Sequence, residues 1–293
     1  MVIFQHNLIF VDEPQLEDEV VDDVLNTIFV VEKSPFCLQD RYVEYSEWTV
    51  ISGQNVRYHS TLPLRESISR FSWALEIEDV ALLCWERDEQ KIYYIKGRHY
   101  TPERLQFWIL HTFFPMILEL ERIYTILHVG AVEIESRAIL FSAPSFGGKS
   151  TLTEYFLDRG HAMLSDDSLA IERRGNTYYA IPSYPFCRPY RELGSLGIYR
   201  ENFVDKPKVI SAIFKLQRSK PDDEIAIYEM RGIDKFETLY SSRFIDFSSA
   251  KVDSYHYYTK MANSVNIYRI DIPWDKKRLS EIHDKIISSL QAQ

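Results

Sequence analysis

The residues with the clearest chemical meaning lie in one short segment, residues 143–151, which reads APSFGGKST. The segment fits the phosphate-loop pattern G-x-x-x-x-G-K-[ST], with Ala143 at the first glycine position. Two adjacent glycines let backbone N–H groups turn toward the β- and γ-phosphates, and the following helix presents its positive end to them. Lys149 would supply a mobile cation, and the Ser150 hydroxyl would lie on the Mg²⁺ that bridges two phosphates.

This segment predicts a nucleotide-phosphate site. Alanine at the first position is tolerated if its φ angle is negative. The alternative is a chance strand, turn and helix, and the scarcity of glycine, ten in the chain, argues against it. The residues expected to hold the phosphates are Ser145, Phe146, Gly147, Gly148, Lys149, Ser150 and Thr151.

Two consecutive carboxylates, Asp166 and Asp167, follow the short apolar run 161–165 and come 17 residues after Lys149. A bound nucleotide and its Mg²⁺ need a carboxylate on a neighbouring strand, and transfer to an alcohol needs a proton acceptor. Because alternate strand residues face opposite ways, two such carboxylates can serve these two purposes. An acidic pair can also be a turn or a helix cap. Its place one helix after the phosphate loop favours the chemical role.

These motifs require strands and helices in an α/β order, and the pattern from residue 124 onward provides one. Residues 150–158 are expected to form a helix that ends at Gly160, and residues 161–165 a short strand. Residues 126–134 and 138–142 indicate a hairpin joined by a polar turn. Further strands are predicted at 178–181 and 209–216, and a closing amphipathic helix at 274–290.

The part of the chain before residue 124 has a different character. Short apolar runs at 3–11, 48–51, 80–85 and 92–95 predict a mainly β region over residues 1–100. A connecting helix should occupy residues 101–123, with Thr101 as its cap, Pro102 at its first position, Glu103 in its first turn and a kink near Pro115. A phosphate-loop domain is predicted for residues 124–293.

Composition narrows the class of protein. The 293 residues include 34 Lys and Arg against 43 Asp and Glu, a net charge of −9, which argues against a nucleic-acid partner because phosphate binding needs a basic face. Three widely spaced cysteines offer neither a disulfide framework nor a zinc ribbon, and they favour a reducing cytoplasm. We find no signal peptide, and the most apolar stretch, 107–118, is shorter than the roughly 20 residues of a membrane span. We expect a soluble cytoplasmic protein without a membrane partner.

The negative charge is concentrated near the start of the chain. Residues 1–33 contain eight acidic residues and one basic residue, so they carry −7 of the net −9. This segment is either a solvated surface or a contact for a basic partner.

The stretch from His128 to Asp167 resembles the catalytic domain of HPr kinase/phosphorylase and the smaller kinases related to it. The resemblance rests on Leu127-His128 opening a strand, on the Gly148-Lys149-Ser150 end of the loop, on Arg159-Gly160-His161 and on Asp166-Asp167. Members of this family have a fold related to phosphoenolpyruvate carboxykinase and transfer phosphate from ATP to a serine hydroxyl. The resemblance implies an N-terminal mainly β domain followed by a P-loop kinase domain of this type, with ATP and Mg²⁺ as cofactors.

The resemblance also implies roles for individual residues. Asp166 would be the base that activates the acceptor hydroxyl, and Asp167 would bind Mg²⁺ together with Ser150. His128 would lie beside the reacting groups, with a purely structural strand histidine as the alternative. Lys149 would act on the transferred phosphate.

Two further positions match the family less closely. Residues 192–197, ELGSLG, are similar to an E-x-R-G-L-G segment, so Glu192 would complete the metal site. Gly194 stands where that segment has arginine, so this chain lacks that cation. Arg231 would be an arginine near the transferred phosphate or, alternatively, a surface arginine.

The acceptor is the least determined part of the interpretation. In length and layout the chain resembles the kinases encoded beside lasso-peptide biosynthesis genes, which phosphorylate a serine at the C-terminus of the precursor peptide. Tyr184, Arg188 and Arg191 lie in a proline-containing segment that would line the acceptor site, since guanidinium groups match carboxylate and phosphate. The alternative is a stiff loop with solvated arginines.

Other functions stay open. HPr itself could be the acceptor, and a P-loop ATPase, a nucleotide-binding regulator or a small-molecule kinase would use the same loop. The chain lacks a second strong basic cluster for a phosphate-dependent reverse reaction, which favours kinase over phosphorylase. The expected partner is a peptide or small protein that carries an acceptor serine, and a homo-oligomer remains open.

Overall fold

The computed structural model describes residues 1–12, 24–34, 44–61, 73–188, 194–245 and 251–291. The chain divides into two compact units. The first comprises Met1–Thr125, Tyr190–Gly197 and Ile245–Val252, and the second comprises Ile126–Pro189, Ile198–Phe244 and Asp253–Gln293. None of the helices in the described ranges combines the length and the apolar character needed to cross a membrane.

The first unit is built on a β-sheet that has nine strands in its described part. The order across the sheet is β1-β2-β3-β9-β8-β7-β6-β4, with β5 also paired to β6. The pairs β2–β3 and β3–β9 are parallel. The strands are β1 (Val2–Ile3), β2 (His6–Phe10), β3 (Asn26–Glu32), β4 (Glu44–Tyr45), β5 (Thr49–Ile51), β6 (Gln54–Ser60), β7 (Trp73–Ile77), β8 (Ala81–Glu86) and β9 (Lys91–Lys96).

A helical segment follows β9. Its start is confirmed, because the Thr101 hydroxyl accepts a hydrogen bond from the Arg104 backbone N–H at 3.2 Å and Pro102 lies in the first turn. It consists of α1 (Pro102–Trp108), a π-helical stretch (Ile109–Phe113) and α2 (Phe114–Leu120). Pro115, near which we predicted a kink, lies in the first turn of α2, directly after this wider stretch. Since proline lacks an N–H and crowds the carbonyl one turn earlier, a local widening accommodates it.

The remaining described elements are mostly strands, with four α-helices among them. The strands are β10 (Thr125–Leu127), β11 (Gly130–Ile134), β12 (Arg137–Ser142), β13 (Met163–Ser165), β14 (Leu169–Arg174), β15 (Thr177–Ile181), β16 (Phe186–Cys187), β17 (Ile198–Tyr199), β18 (Lys208–Ser219), β19 (Ala226–Glu229) and β20 (Asn266–Pro273). The helices are α3 (Lys149–Asp158), α4 (Ile233–Ser241), α5 (Lys251–Ala262) and α6 (Leu279–Gln291), the last preceded by a 3-10 turn (Lys276–Arg278).

Most of these strands form a second sheet with β18 at its centre. The order is β10-β14-β15-β18-β12-β11-β13, and β18 also pairs with β20, which pairs with β19. The strands β12, β18 and β20 are parallel, with Phe141 opposite Phe214 and Phe214 opposite Tyr268. The chain therefore leaves β12, β18 and β20 at the same edge of the sheet, which is where α/β proteins commonly bind ligands.

Helices cover both faces of this sheet. Along β12, Ile139 and Phe141 pack into one apolar cluster with residues of α3 and α6. Ala138 and Leu140 pack into another with residues of α4 and α5. This alternation is the two-residue period of a strand buried on both sides, and it gives the mixed α/β architecture that the sequence predicted.

The predicted hairpin is confirmed as β11 and β12, which turn through Glu135 and Ser136 at φ angles of 49° and 63°. The predicted strand over 126–134 is wrong in one respect, because it breaks at His128 and Val129 between β10 and β11. The predicted closing helix begins later, with α6 starting at Leu279.

Candidate active site

The predicted phosphate loop lies between β12, which ends at Ser142, and α3, which begins at Lys149. The order of strand, loop and helix is therefore confirmed. Within the loop, Phe146 and Gly148 have φ angles of 61° and 95°. Left-handed residues alternating with ordinary ones turn successive backbone N–H groups toward one side, and such a concavity binds anions.

The two adjacent glycines serve different purposes. Gly148 has the positive φ that glycine adopts without strain. Gly147 has no positive φ, but a Cβ there would lie 2.6 Å from the Cβ of Ala143 and 2.8 Å from the carbonyl oxygen of Pro144. Ala143 has no positive φ either, which is the condition under which alanine can replace the first glycine.

Lys149 is the first residue of α3 and is only 3% exposed. Its Nζ donates a hydrogen bond to the carbonyl oxygen of Ala143 at 3.3 Å, so that the ammonium group is held against the loop. Ser150 and Thr151 follow in the first turn and are half-buried, whereas Phe146 is 76% exposed. The start of α3 thus combines a cation, a hydroxyl group and helix N–H groups.

Asp166 and Asp167 follow directly after β13, as predicted. Asp166 is 6% exposed, and its Oδ2 accepts a hydrogen bond from the backbone N–H of Arg188 at 2.8 Å. Burial raises the pKa of Asp166 above its ordinary value, and the charge of Asp167 adds to this rise. The hydrogen bond from Arg188 and the positive charge of Lys149 act on the pKa in the opposite direction.

Asp167 is in a more open environment. Its Oδ1 lies 3.3 Å from Nδ1 of His128, and the two side chains are 26% and 30% exposed. The adjacent carboxylates therefore differ, since one is buried and the other is accessible beside an imidazole. This difference is what a division between proton acceptor and metal ligand requires.

His128 is positioned by the break between β10 and β11. Its backbone N–H donates to the carbonyl oxygen of Ser242 at 2.6 Å, just beyond the end of α4. The hydroxyl groups of Ser242 and Ser142 are 2.7 Å apart and hydrogen-bonded. The end of α4 thereby ties the last residue of β12 to His128, a connection that the sequence pattern gives no means to predict.

Two of the residues predicted to bind the acceptor are described. Arg188 contributes its backbone N–H to Asp166. Tyr184 is only 2% exposed, and its pKa is raised well above the ordinary value by burial and by the charge of Asp167. Tyr184 therefore packs beside the acidic pair and presents little surface to solvent.

Arg231 is not brought to this place. Arg231 is 83% exposed and pairs with Glu229 at 3.0 Å, at the end of β19. The strands β18 and β20 lie between β12 and β19. Three strand spacings therefore separate β19 from β12, a distance of about 14 Å. Arg191 and Glu192 lie outside the described residues.

The described residues contain no group of three or more His, Cys, Asp or Glu that could hold a metal ion. The donors near the loop are nevertheless those that Mg²⁺ uses. Mg²⁺ commonly takes one or two protein oxygens and completes its shell with substrate phosphates and water. Asp167 and the Ser150 hydroxyl are oxygen donors of this kind.

Two residues near the loop were missed in the sequence. The Arg218 guanidinium donates a hydrogen bond to the carbonyl oxygen of Phe146, and its central carbon lies 3.4 Å from the centre of the Trp274 ring. Arg218 is near the end of β18, and Trp274 comes directly after β20. The rule that ligands bind beyond the carboxyl ends of parallel strands is the signal that would have pointed to both.

Similarity to known proteins is low. No protein-family model matches this chain, and no curated protein does. Among solved structures, the chain is similar to the Hpr(Ser) kinase/phosphatase from Coxiella burnetii, with 14% sequence identity and a TM-score of 0.34. That alignment covers 56% of this chain and 98% of the other. Similarity at this level establishes neither a shared fold nor a shared activity.

Proposed function

We propose that this chain is an ATP- and Mg²⁺-dependent kinase that transfers the γ-phosphate to a serine hydroxyl of a peptide or small protein. The observation that carries the proposal is the pairing of a phosphate loop with two adjacent carboxylates in unlike environments. Asp166 is buried, and the positive charge of Lys149 acts to lower its pKa. Asp167 is accessible and lies beside His128.

The loop and the start of α3 would bind the phosphates of ATP. The left-handed residues Phe146 and Gly148 shape the loop, and the first N–H groups of α3 face the ligand with the positive end of the helix dipole. The Lys149 ammonium donates a hydrogen bond to the carbonyl oxygen of Ala143 in the loop. Rotation of this long side chain would bring its charge onto the transferred phosphate.

Asp166 would accept the proton of the serine hydroxyl. A base acts best when its pKa lies near the working pH, and burial moves the pKa of this carboxylate upward in that direction. The hydrogen bond from the Arg188 backbone fixes one carboxylate oxygen at 2.8 Å and leaves the other for the substrate. Asp166 is thereby oriented as well as activated.

Asp167 and Ser150 would hold Mg²⁺. The metal ion supplies charge neutralisation on the phosphate oxygens. His128 lies 3.3 Å from Asp167 and orients that carboxylate. Its attachment to Ser242 keeps the imidazole in place.

For the acceptor, we propose the C-terminal serine of a lasso precursor peptide. Arg188 supports this choice because its backbone is bonded to Asp166, which places its guanidinium within a side-chain length of the base. A guanidinium binds a planar carboxylate with two parallel hydrogen bonds, as a C-terminal residue would require. An internal serine, as in HPr, would not supply that carboxylate.

The test is transfer to peptides of defined C-terminus. The protein is incubated with Mg·ATP and a peptide that ends in serine, the same peptide with a C-terminal amide, and the same peptide ending in alanine. Mass spectrometry should show the gain of one phosphate on the first peptide, a weaker gain on the amide and none on alanine. Lys149→Ala should abolish the transfer. Acceptor-independent ATP hydrolysis without phosphorylation of any peptide, HPr included, would refute the kinase assignment.

A further inference from the structure

A cavity of about 120 Å³ lies beside the first turn of α3, within the second unit. Three elements form its walls, and most of the side chains that line it are apolar. The lining includes Thr151 and Leu152 of α3, Ile272 of β20, Trp274 directly after it, and Leu279 and Ile282 of α6, together with the charged residues Asp275 and Lys276. Sites for small organic ligands are likewise concave and mostly apolar, with a few polar groups.

The cavity and the phosphate loop share a wall. Gly148, the left-handed residue of the loop, also lines the cavity. A Cβ at Gly148 would lie 3.2 Å from a ring carbon of Trp274, which is tighter than most Cβ contacts, so glycine favours the close approach of this ring to the loop. A ligand whose phosphates lie on the loop would therefore have the cavity directly beside it.

Trp274 is held in place before any ligand binds. One contact is the Arg218 guanidinium over its ring at 3.4 Å, and another is the bond from its backbone N–H to the carbonyl oxygen of Ser219 at 3.3 Å. Arg218 is itself bonded to the loop carbonyl of Phe146. The ring nevertheless remains 48% exposed. An ordered and accessible indole is a good surface on which a flat ring can stack.

We propose that this cavity binds the purine base of the nucleotide donor, with the base stacked on Trp274. The inference rests on the proposed function, because it places the base of ATP in the cavity while the phosphates of the same ATP lie on the loop. Stacking on an aromatic side chain suits a nucleobase, since every base has a π-face. An inorganic polyphosphate would use the loop and leave the cavity untouched.

The test compares two ligands that differ only in the presence of the nucleoside. Binding of Mg·ATP and of Mg·tripolyphosphate is measured by calorimetry for the wild type and for Trp274→Ala. The substitution should weaken ATP binding by about 5- to 150-fold, the range expected for loss of one base–aromatic stack. Binding of tripolyphosphate should change by less than about twofold, because the loop is retained.

Three further variants sharpen the comparison. Trp274→Phe keeps an aromatic ring and should recover most of the ATP affinity. Leu279→Trp fills the cavity from the side of α6 and should also weaken ATP binding selectively. Tyr228→Ala is the matched control, because Tyr228 is 49% exposed and also has an arginine, Arg269, over its ring, but it does not line the cavity. This control should bind ATP as the wild type does.

The outcomes separate the two proposals. Equal ATP affinity of the wild type and Trp274→Ala, together with tripolyphosphate binding by both, would overturn the base site and leave the phosphate loop intact. Failure of the wild type to bind either ligand would overturn the proposed function and the base site with it. Equal loss of both ligands in Trp274→Ala, with the fold preserved by circular dichroism, would assign Trp274 to the loop and overturn the base site.

Discussion

The imidazole of His128 lies 3.3 Å from the carboxylate of Asp167, whereas the neighbouring carboxylate of Asp166 is bonded to the Arg188 backbone. Two consecutive side chains thus receive partners from different parts of the chain. His128 comes from the break between two strands, and Arg188 follows β16. This separation gives each carboxylate its own chemical environment and makes their roles separable by mutation.

His128→Ala should change the response to Mg²⁺ more than the maximal rate. Loss of a side chain that orients a metal ligand costs about 10- to 100-fold in metal affinity. The Mg²⁺ concentration for half-maximal transfer should therefore rise by at least about tenfold, with kcat at saturating Mg²⁺ reduced less. His256→Ala is a suitable control because His256 is exposed on α5. An unchanged Mg²⁺ requirement would show that His128 does not orient Asp167 for metal binding.

Asp166→Asn should leave ATP binding nearly intact while it lowers kcat. The amide keeps the size of the side chain and can still accept the hydrogen bond from Arg188, but it cannot take a proton. The expected loss is on the order of 100-fold or more, as for removal of a general base. Calorimetry with ATP and single-turnover transfer measure the two quantities. Asp205→Asn, at an exposed position, should match the wild type in both.

Asp166→Asn should also become more stable relative to the wild type as pH rises. Burial raises the pKa of Asp166 above 3.8, so the folded state binds this proton more tightly than the unfolded state does. Stability from this group is therefore full below the unfolded pKa and is lost as pH rises through the raised folded pKa. Asparagine does not titrate, so Asp166→Asn does not lose this stability as pH rises.

The measurement is the thermal midpoint of the wild type and Asp166→Asn from pH 4 to pH 8. The midpoint of the variant, relative to the wild type, should increase as pH rises above the unfolded pKa and should level off above the raised folded pKa. A difference between the two proteins that stays constant with pH would show that the Asp166 carboxylate is not destabilised by its burial.

The parts of the site that could be predicted from the sequence are those set by local chemistry. The Gly-Gly-Lys-Ser turn, the hairpin turn at Glu135 and Ser136, and the Thr101 cap each depend on a few neighbouring residues. Their backbone preferences act within one turn of chain, so the pattern alone identifies them. The short strand β13, which the acidic pair follows, could likewise be predicted from neighbouring residues.

The parts that could not be predicted depend on the register between distant strands. Arg218 and Trp274 meet because β18 and β20 run in parallel, with Arg218 opposite Ile272. Arg231 is distant from β12 because β19 pairs on the far side of β20. The break at His128 follows from its bond to Ser242, more than a hundred residues later. No local propensity encodes such pairings.

Gly130 gives a test of how β11 is positioned against α3. A Cβ at this position would overlap Oγ1 of Thr153, and Gly130 has no positive φ, so alanine is disfavoured by space and not by backbone conformation. Gly130→Ala should therefore lower the free energy of unfolding by about 1–3 kcal/mol, the usual cost of overpacking. Chemical denaturation measures this quantity.

Combining this change with Thr153→Ala should restore most of the loss, because the substitution removes the atom that the new Cβ would meet. Thr153→Val is the matched control, since it keeps a group of similar size at that place and should restore little. The interaction energy from the double-mutant cycle isolates the contact between the two positions. If Thr153→Ala gave no rescue, the close approach of β11 to α3 would be incorrect.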